Sequence, residues 1–302
     1  MARTASPAAA EDPAGLGRAR AAGIAAPALL VVLAFLVFPA LWTLYLGTTN
    51  YRLTGHAARH PRSVGVDNYT TVVKDPAFHH SLWLTFEYVI GSAVLGQALL
   101  GFVIAWLLRD AGGRVKRVIE ALVLLAWILP SSVVAFLWSA LLDRDQGTFN
   151  ALLHTQGTAW IVEHPMTVII IFNIWRGTAF SMLLYSAALT GVPPTQLATA
   201  RMFGANQWQQ LRDVVFPHIR GHILTNLLLI SLWTFNDFTP YQITGGADSR
   251  SQILPVYIYQ TALFDGQMGL GAAIALLMLV INLVVALVYL RLLRDRRLER
   301  VA

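Results

Sequence analysis

Four polar side chains stand where long apolar stretches should leave none: Glu87, Arg176, Asn236 and Asp237. An ionisable group inside a membrane-length segment is costly, and by default it marks a solute pathway, a proton relay or a counter-ion. Each also has a plain structural reading. Glu87 and Asp237 fall near segment ends, where outer water can wet them, and Arg176 can snorkel or brace a carboxylate as a strut. The amide of Asn236 beside the acid of Asp237 offers donors and acceptors to hydroxyl groups, which suits a polyhydroxylated solute. Catalytic and metal chemistry find less footing. The chain has no cysteine, which excludes disulfides, thiolate ligands and thiol nucleophiles. His218 and His222 are four apart on one helical face, but no third ligand accompanies them and no His-Glu-x-x-His run occurs. No Gly-x-Ser-x-Gly elbow appears, and neither lysine, Lys74 or Lys116, follows a phosphate-cradling glycine loop. No cofactor or metal is expected on this chain. If ATP drives it, a separate chain binds the nucleotide.

The elements that position these residues are membrane helices. Of 302 residues, 56% are hydrophobic and only 13% charged, against roughly 25% charged in a soluble domain. Six apolar runs are long enough for a ~30 Å hydrocarbon layer: 24–46, 82–108, 118–142, 166–189, 223–243 and 269–293. The first is longer than a signal-peptide core and no convincing cleavage site follows it, so it is expected to remain as a span. An even number of spans puts both termini on one side. Fifteen of the lysines and arginines, among them Arg109, Arg117, Arg201 and Arg220, fall on that side, and six, such as Arg59 and Arg250, on the other. The positive-inside rule therefore predicts cytoplasmic termini. Residues 1–22, rich in alanine and glycine, are expected to be a flexible tail and 294–302 a basic one. The basic residues form no aromatic-interleaved patch of the kind that binds nucleic acid.

Between the fourth and fifth runs lies a polar interlude, Gly191 to Arg220, on the side of the termini. Pro193 and Pro194 stop the preceding helix, and Thr195 is expected to cap a short helix from Gln196 to Phe203. Gly204 ends it, since glycine tolerates the left-handed backbone of a sharp reversal. Asn206 with Gln209 three residues on forms a capping-box pattern for a second helix. On that helix Trp208, Leu211, Val214 and Val215 form an apolar face, with Gln207, Gln209, Gln210, Arg212 and Asp213 opposite.

This helix, glycine turn and helix resembles the cytoplasmic coupling loop of bacterial ABC importer permeases. Ala198-Thr199-Ala200, Gly204-Ala205 and Phe216-Pro217 fall in that family's register. Ala198 stands where the family usually has glutamate, and Phe203 where an aspartate commonly precedes the glycine. Elsewhere Asp67-Asn68-Tyr69, Asp75-Pro76, Thr85, Gly147-Thr148-Phe149-Asn150, Ser186-Ala187-Ala188-Leu189, Phe235-Asn236-Asp237-Phe238 and Thr244-Gly245-Gly246 are similar to the patterns of sugar permeases. The resemblance runs from Ile24 to the last helix. It implies an all-α membrane protein of six transmembrane helices with a short coupling-helix loop between helices 4 and 5, in a bacterial inner membrane. It also implies a second homologous permease, two cytoplasmic ATP-binding subunits and an extracellular solute-binding protein as partners, and a sugar or sugar-like solute. Thr195, Leu197, Ala198, Ala200, Met202, Phe203, Gly204, Ala205, Trp208, Leu211, Phe216 and Pro217 would then form the ATPase-coupling loop, with Asn236, Asp237, Arg176 and Glu87 candidates for the translocation pathway. The rival reading is a self-contained ion-coupled transporter using Glu87, Arg176 and Asp237. Such transporters usually carry internal repeats, and none is evident here.

Overall fold

The structure, a computed structural model, describes residues 18–246 and 248–298. The expected N-terminal tail lies outside the described residues as far as position 17, after which helix begins at Arg18. At the other end helix continues to Leu298, into the stretch expected as a tail, and the last four residues lie outside the description.

The described chain is almost wholly helical. Long apolar helices run over Gly23–Gly47 (α1), Pro76–Leu108 (α2), Pro165–Thr190 (α5), Gln207–Phe235 (α7) and Met268–Leu298 (α10). The third expected span is not one helix. Gly113–Ile128 (α3) and Ser131–Leu141 (α4) meet at a 100° bend, so six spans result only if that bent pair is counted as one. Pro130 explains the break. It lacks an N–H and pushes Leu129 out of the helical region, to ψ 140°. The fifth expected span is also displaced. Rather than 223–243 it occupies Gln207–Phe235, and a separate short helix, Thr239–Thr244, follows it. In chain order Pro194–Met202 (α6) precedes α7, and Thr239–Thr244 (α8) and Leu254–Tyr259 (α9) separate α7 from α10. The stop after Phe235 is written in Asp237 and Pro240. Asp237 Oδ1 accepts the Thr239 N–H at 3.0 Å and its hydroxyl at 2.6 Å, and Pro240 opens α8.

Below, the end of the bundle carrying the 191–206 linker is the proximal end and the opposite end is distal. At the proximal end a core joins Phe102, Tyr185, Leu189, Leu211, Val215 and Ile219, so the linker is anchored on α2, α5 and α7 together. The α2–α5 contact is unusually close. A Cβ at Gly101 would sit 2.5 Å from Ser181 Cβ and 2.8 Å from Met182 N, so only glycine lets these backbones approach. By contrast, the apolar window of α1 is unburied within the chain. In lipid such exposure carries no hydrophobic penalty. α1 is held at its distal end, where Asn68 donates to the carbonyls of Gly47 (2.9 Å) and Thr49 (2.8 Å).

Candidate functional site

A cavity of about 280 Å³ opens among α2, α3, α5 and α7. Its polar wall comes from Gln97, Asn173, Arg176, Thr234 and Asp237, and its apolar wall from Trp127, Phe180, Trp233 and Ile230. The aromatic rings form a continuous surface, with Phe180 edge-on to Trp233 at 4.7 Å and Trp127 6.2 Å from Phe180. Gln97 projects from a π-helical stretch of α2, Val89–Gln97. A π turn inserts a residue and re-aims the side chains around it, and such turns recur at functional sites.

The polar wall is cross-braced between helices. Asn173 on α5 donates to Ser92 Oγ on α2 (2.7 Å) and to Thr234 Oγ1 on α7 (3.2 Å), while Gln97 Nε2 donates to the Asn173 carbonyl (3.0 Å). Asp237 accepts three bonds, most of its capacity. Besides the two bonds from Thr239, its Oδ2 accepts the Tyr88 hydroxyl at 2.8 Å. Arg176 reaches only Thr239 Oγ1, at 3.5 Å, and its Nε is buried without a partner.

Of the four residues singled out by sequence, the structure brings Arg176 and Asp237 to this one cavity. The other two are elsewhere. Glu87 is exposed and does not line the cavity. Asn236, expected to act beside Asp237, points the other way. It donates to the Leu232 carbonyl (2.7 Å) and exchanges long amide contacts of 3.3 and 3.4 Å with Asn282 on α10. Adjacent residues at a helix end diverge by about 100°, so neighbours in sequence need not share a site. Gln97, Asn173, Trp127 and Trp233 were missed. For Gln97 and Asn173 the signal was present, because an amide inside a membrane-length apolar run needs a partner much as a charge does.

At the proximal end, α6 starts one residue ahead of Thr195, with Pro193 at its cap position and no side-chain capping bond. Thr195 therefore does not cap it; Pro194, pre-set for the first helical turn, takes the place of the expected start. The turn itself follows expectation. Gly204 has φ +78°, its N–H meets the Arg201 carbonyl at 2.9 Å, and the Ala205 N–H meets the Ala200 carbonyl at 2.9 Å. Asn206 and Gln209 form both bonds of a capping box, at 2.9 and 2.8 Å. Beyond it the helix face departs from the expected one. Gln210, placed on the polar side by its spacing, is buried, donates to the Ala205 carbonyl (2.9 Å) and accepts from Arg201 Nε (3.3 Å). Trp208, placed with Leu211 and Val215, is 64% exposed. The π turn at Leu211–Val215 is the physical reason, since it shifts the helical phase between Trp208 and the buried residues after it.

The linker thus has two faces. Leu197, Leu211 and Phe216 attach it to the bundle, with Phe216 stacked on Phe102 at 5.2 Å. Met202, Phe203 and Trp208 project outward, the first two more than 80% exposed. Between α6 and α7 lies a groove of about 630 Å³, lined by Thr195, Thr199, Asp213, Pro217 and others.

Several other motif residues turn out to be pins. Asn150, almost fully buried, donates to the carbonyls of Asp143, Arg144 and Thr158 and accepts from Thr155 Oγ1 and Trp160 Nε1. Thr85 Oγ1 accepts the Leu254 N–H at 2.8 Å, tying α9 to α2. Asp75 caps α2 through the Ala77 N–H (2.9 Å) and accepts the Tyr257 hydroxyl. Burial and the Asp75 charge together push the Tyr257 phenol well above its ordinary pKa.

The geometry has counterparts among known proteins. The chain is 32% identical over 238 residues to the inner membrane ABC transporter permease protein YcjO of Escherichia coli (strain K12), covering 74% of this chain and 78% of that one. It is 28% identical over 284 residues to the trehalose/maltose transport system permease protein MalF of Thermococcus litoralis, covering 90% and 92%. In fold it matches a crystal structure of a bacterial ABC transporter involved in the import of the acidic polysaccharide alginate, with TM-score 0.74, 19% identity, and coverage of 90% of this chain and 94% of that one. The pattern of binding-protein-dependent transport system inner membrane components matches residues 97–298, and the chain belongs to that family, the membrane-spanning permeases of ABC importers.

Proposed function

We propose that this permease passes a carbohydrate-type solute through the cavity between α2, α3, α5 and α7, and that the 191–206 linker receives the motion of separate ATP-hydrolysing chains. The observation that carries the solute path is the pairing of an aromatic wall with amide, hydroxyl and guanidinium groups in one cavity inside an apolar bundle. Aromatic faces cover the apolar side of a sugar ring, and the polar groups answer its hydroxyls. The trehalose/maltose permease among the relatives supports that solute class. The outward Met202, Phe203 and Trp208 support docking of an ATPase surface, because large apolar side chains on a polar linker mark an interaction site. A second permease, two ATP-binding subunits and an extracellular binding protein complete the assembly. This chain itself holds no cofactor.

The test is Trp233→Ala in the assembled transporter. Trp233 is 52% exposed and lines the cavity without a hydrogen-bonding role in the brace. Uptake should fall severalfold while expression and binding-protein-stimulated ATP hydrolysis persist; unchanged uptake would remove the cavity from the path. We also propose cytoplasmic termini, on the fifteen-to-six charge asymmetry. Because the chain has no cysteine, single cysteines at Arg59, Gly112 and Asp248 can be labelled cleanly with an impermeant thiol reagent on intact cells. Positions 59 and 248 should react and 112 should not, and the reverse pattern would invert the orientation.

A further inference from the structure

Resting on the reading of the cavity as a solute site, we infer that it is built for a saccharide bearing an anionic group, held by Arg176. The hydrogen-bonding capacity around the cavity is unevenly spent. Asn173 spends both amide N–H groups on Ser92 and Thr234. Asp237 accepts three bonds from Tyr88 and Thr239, so most of its roughly four acceptor positions are taken from the protein side. Arg176 is the exception. A guanidinium carries five N–H donors, yet its one contact is to Thr239 Oγ1 at 3.5 Å, and its Nε is buried without a partner. Among the described residues no carboxylate lies within 4.0 Å of it. Thr239 already gives its hydroxyl proton to Asp237, so it offers Arg176 only a lone pair at long range.

A cation with spare donors inside an apolar bundle is expensive, and the cheapest completion is an anion that takes a planar fork of N–H groups: a carboxylate, a sulfonate or a phosphate ester. The opposite wall narrows the rest of the ligand. Trp233 and Phe180 lie 4.7 Å apart and present ring surface to the same space, which suits the apolar face of a sugar ring. At about 280 Å³ the cavity stands at the lower end of small-molecule sites, so it takes one sugar-sized unit at a time.

The experiment uses the permease purified with its partner chains and compares radiolabelled D-glucuronate with D-glucose by scintillation proximity. The two share a ring and differ in the carboxylate. Glucuronate should bind at least about tenfold more tightly, the scale of one charge-assisted contact. Arg176→Gln should erase that advantage, bringing glucuronate down to the level of glucose, while Arg176→Lys should retain part of it; size-exclusion profiles check assembly of both. Glucose 6-phosphate, as a third competitor, distinguishes a planar carboxylate from a tetrahedral anion as the preferred group. Equal binding of glucuronate and glucose, or a preference that survives Arg176→Gln, overturns the inference while leaving the solute cavity standing. Displacement of glucuronate by sodium sulfate at equal concentration would show an anion site that does not read the sugar, and overturns it too. Binding of neither sugar by a complex that still hydrolyses ATP would remove the solute reading of the cavity, and this inference with it.

Discussion

Replacing Gly204 tests the linker most directly, because the structure separates backbone strain from steric clash there. Gly204 has φ +78°, a region that costs an ordinary L-residue roughly 1–2 kcal/mol. A Cβ at this position would meet nothing within 4 Å. The Cβ of Gly204→Val therefore meets no neighbour, and the main effect is the pull of the backbone away from the left-handed turn. The neighbouring bonds resist that pull: Gly204 N–H to Arg201, Ala205 N–H to Ala200, and Gln210 Nε2 to the Ala205 carbonyl, all at 2.9 Å. Each is worth about 0.5–1.5 kcal/mol, comparable with the strain, so the turn should be loosened rather than abolished and the bundle should still assemble. Asparagine tolerates the left-handed region better than valine, which gives an internal control. The assay is uptake and binding-protein-stimulated ATP hydrolysis measured on the same proteoliposomes. Gly204→Val should lower uptake per ATP hydrolysed several-fold, with Gly204→Asn intermediate. If valine and glycine gave the same ratio, or if asparagine were as harmful as valine, the argument from backbone geometry would fail.

Three further outcomes follow from contacts at other places. Gly101→Ala places its methyl 2.5 Å from Ser181 Cβ and against the Met182 backbone, so overpacking should destabilise the chain by about 1–3 kcal/mol; an unchanged melting temperature in detergent would refute the close α2–α5 approach. Asn150→Leu leaves the Thr158 carbonyl and the Trp160 indole N–H without their partner and removes one of the bonds to each of the Asp143 and Arg144 carbonyls, which should cost about 2–4 kcal/mol and expose 143–163 to limited proteolysis. The third concerns pH. The Gln146 and Asp145 N–H groups hold the Asp143 carboxyl below its usual pKa. A folded value below the unfolded one of about 3.9 means the stabilisation is present above that pH and is lost as pH falls through the lower folded value. Hydrogen exchange at Asp145 and Gln146 should accelerate from pH 5 to pH 3, after correction for intrinsic rates, by more in the wild type than in Asp143→Asn.

The parts of this fold legible in the sequence were those whose cause is local. Apolar length marks α1, α2, α5 and α10, and Gly204 with the Asn206 and Gln209 box marks the turn. Pro130 carried the same kind of local signal, but inside an unbroken apolar run it was outweighed by hydropathy, and the 100° bend was passed over. Phase was harder. The turns at Val89–Gln97 and Leu211–Val215 each insert a residue into an otherwise regular helix; at the second, Pro217 withholds the N–H that the Asp213 carbonyl would take, which signals a disturbance there but not its form. That is why Trp208 and Gln210 exchanged their expected faces. The cavity was only half legible for a different reason. Charge drew attention to Arg176 and Asp237, whereas the amides of Gln97 and Asn173 matter through partners 76 and 61 residues away in the chain.

Those long-range bonds also tie the two ends of the molecule together. α7 runs without interruption from the residue after the Asn206 cap to Phe235, a rod of about 43 Å at 1.5 Å per residue. Its proximal end carries the linker turn, and near its distal end Trp233 and Thr234 line the cavity. α5 has the same double role, with Asn173 and Arg176 at the cavity and Thr190 leading directly into the linker. The two helices are joined midway, where Asn226 donates to Ser181 Oγ and the Tyr185 hydroxyl at 3.0 Å each. A displacement of the linker therefore cannot be absorbed by either helix alone. It must move α5 and α7 as a pair, and the bond between Asn173 and Thr234, at 3.2 Å the longer of the two that Asn173 donates across helices, is the place where such a movement would first alter the cavity.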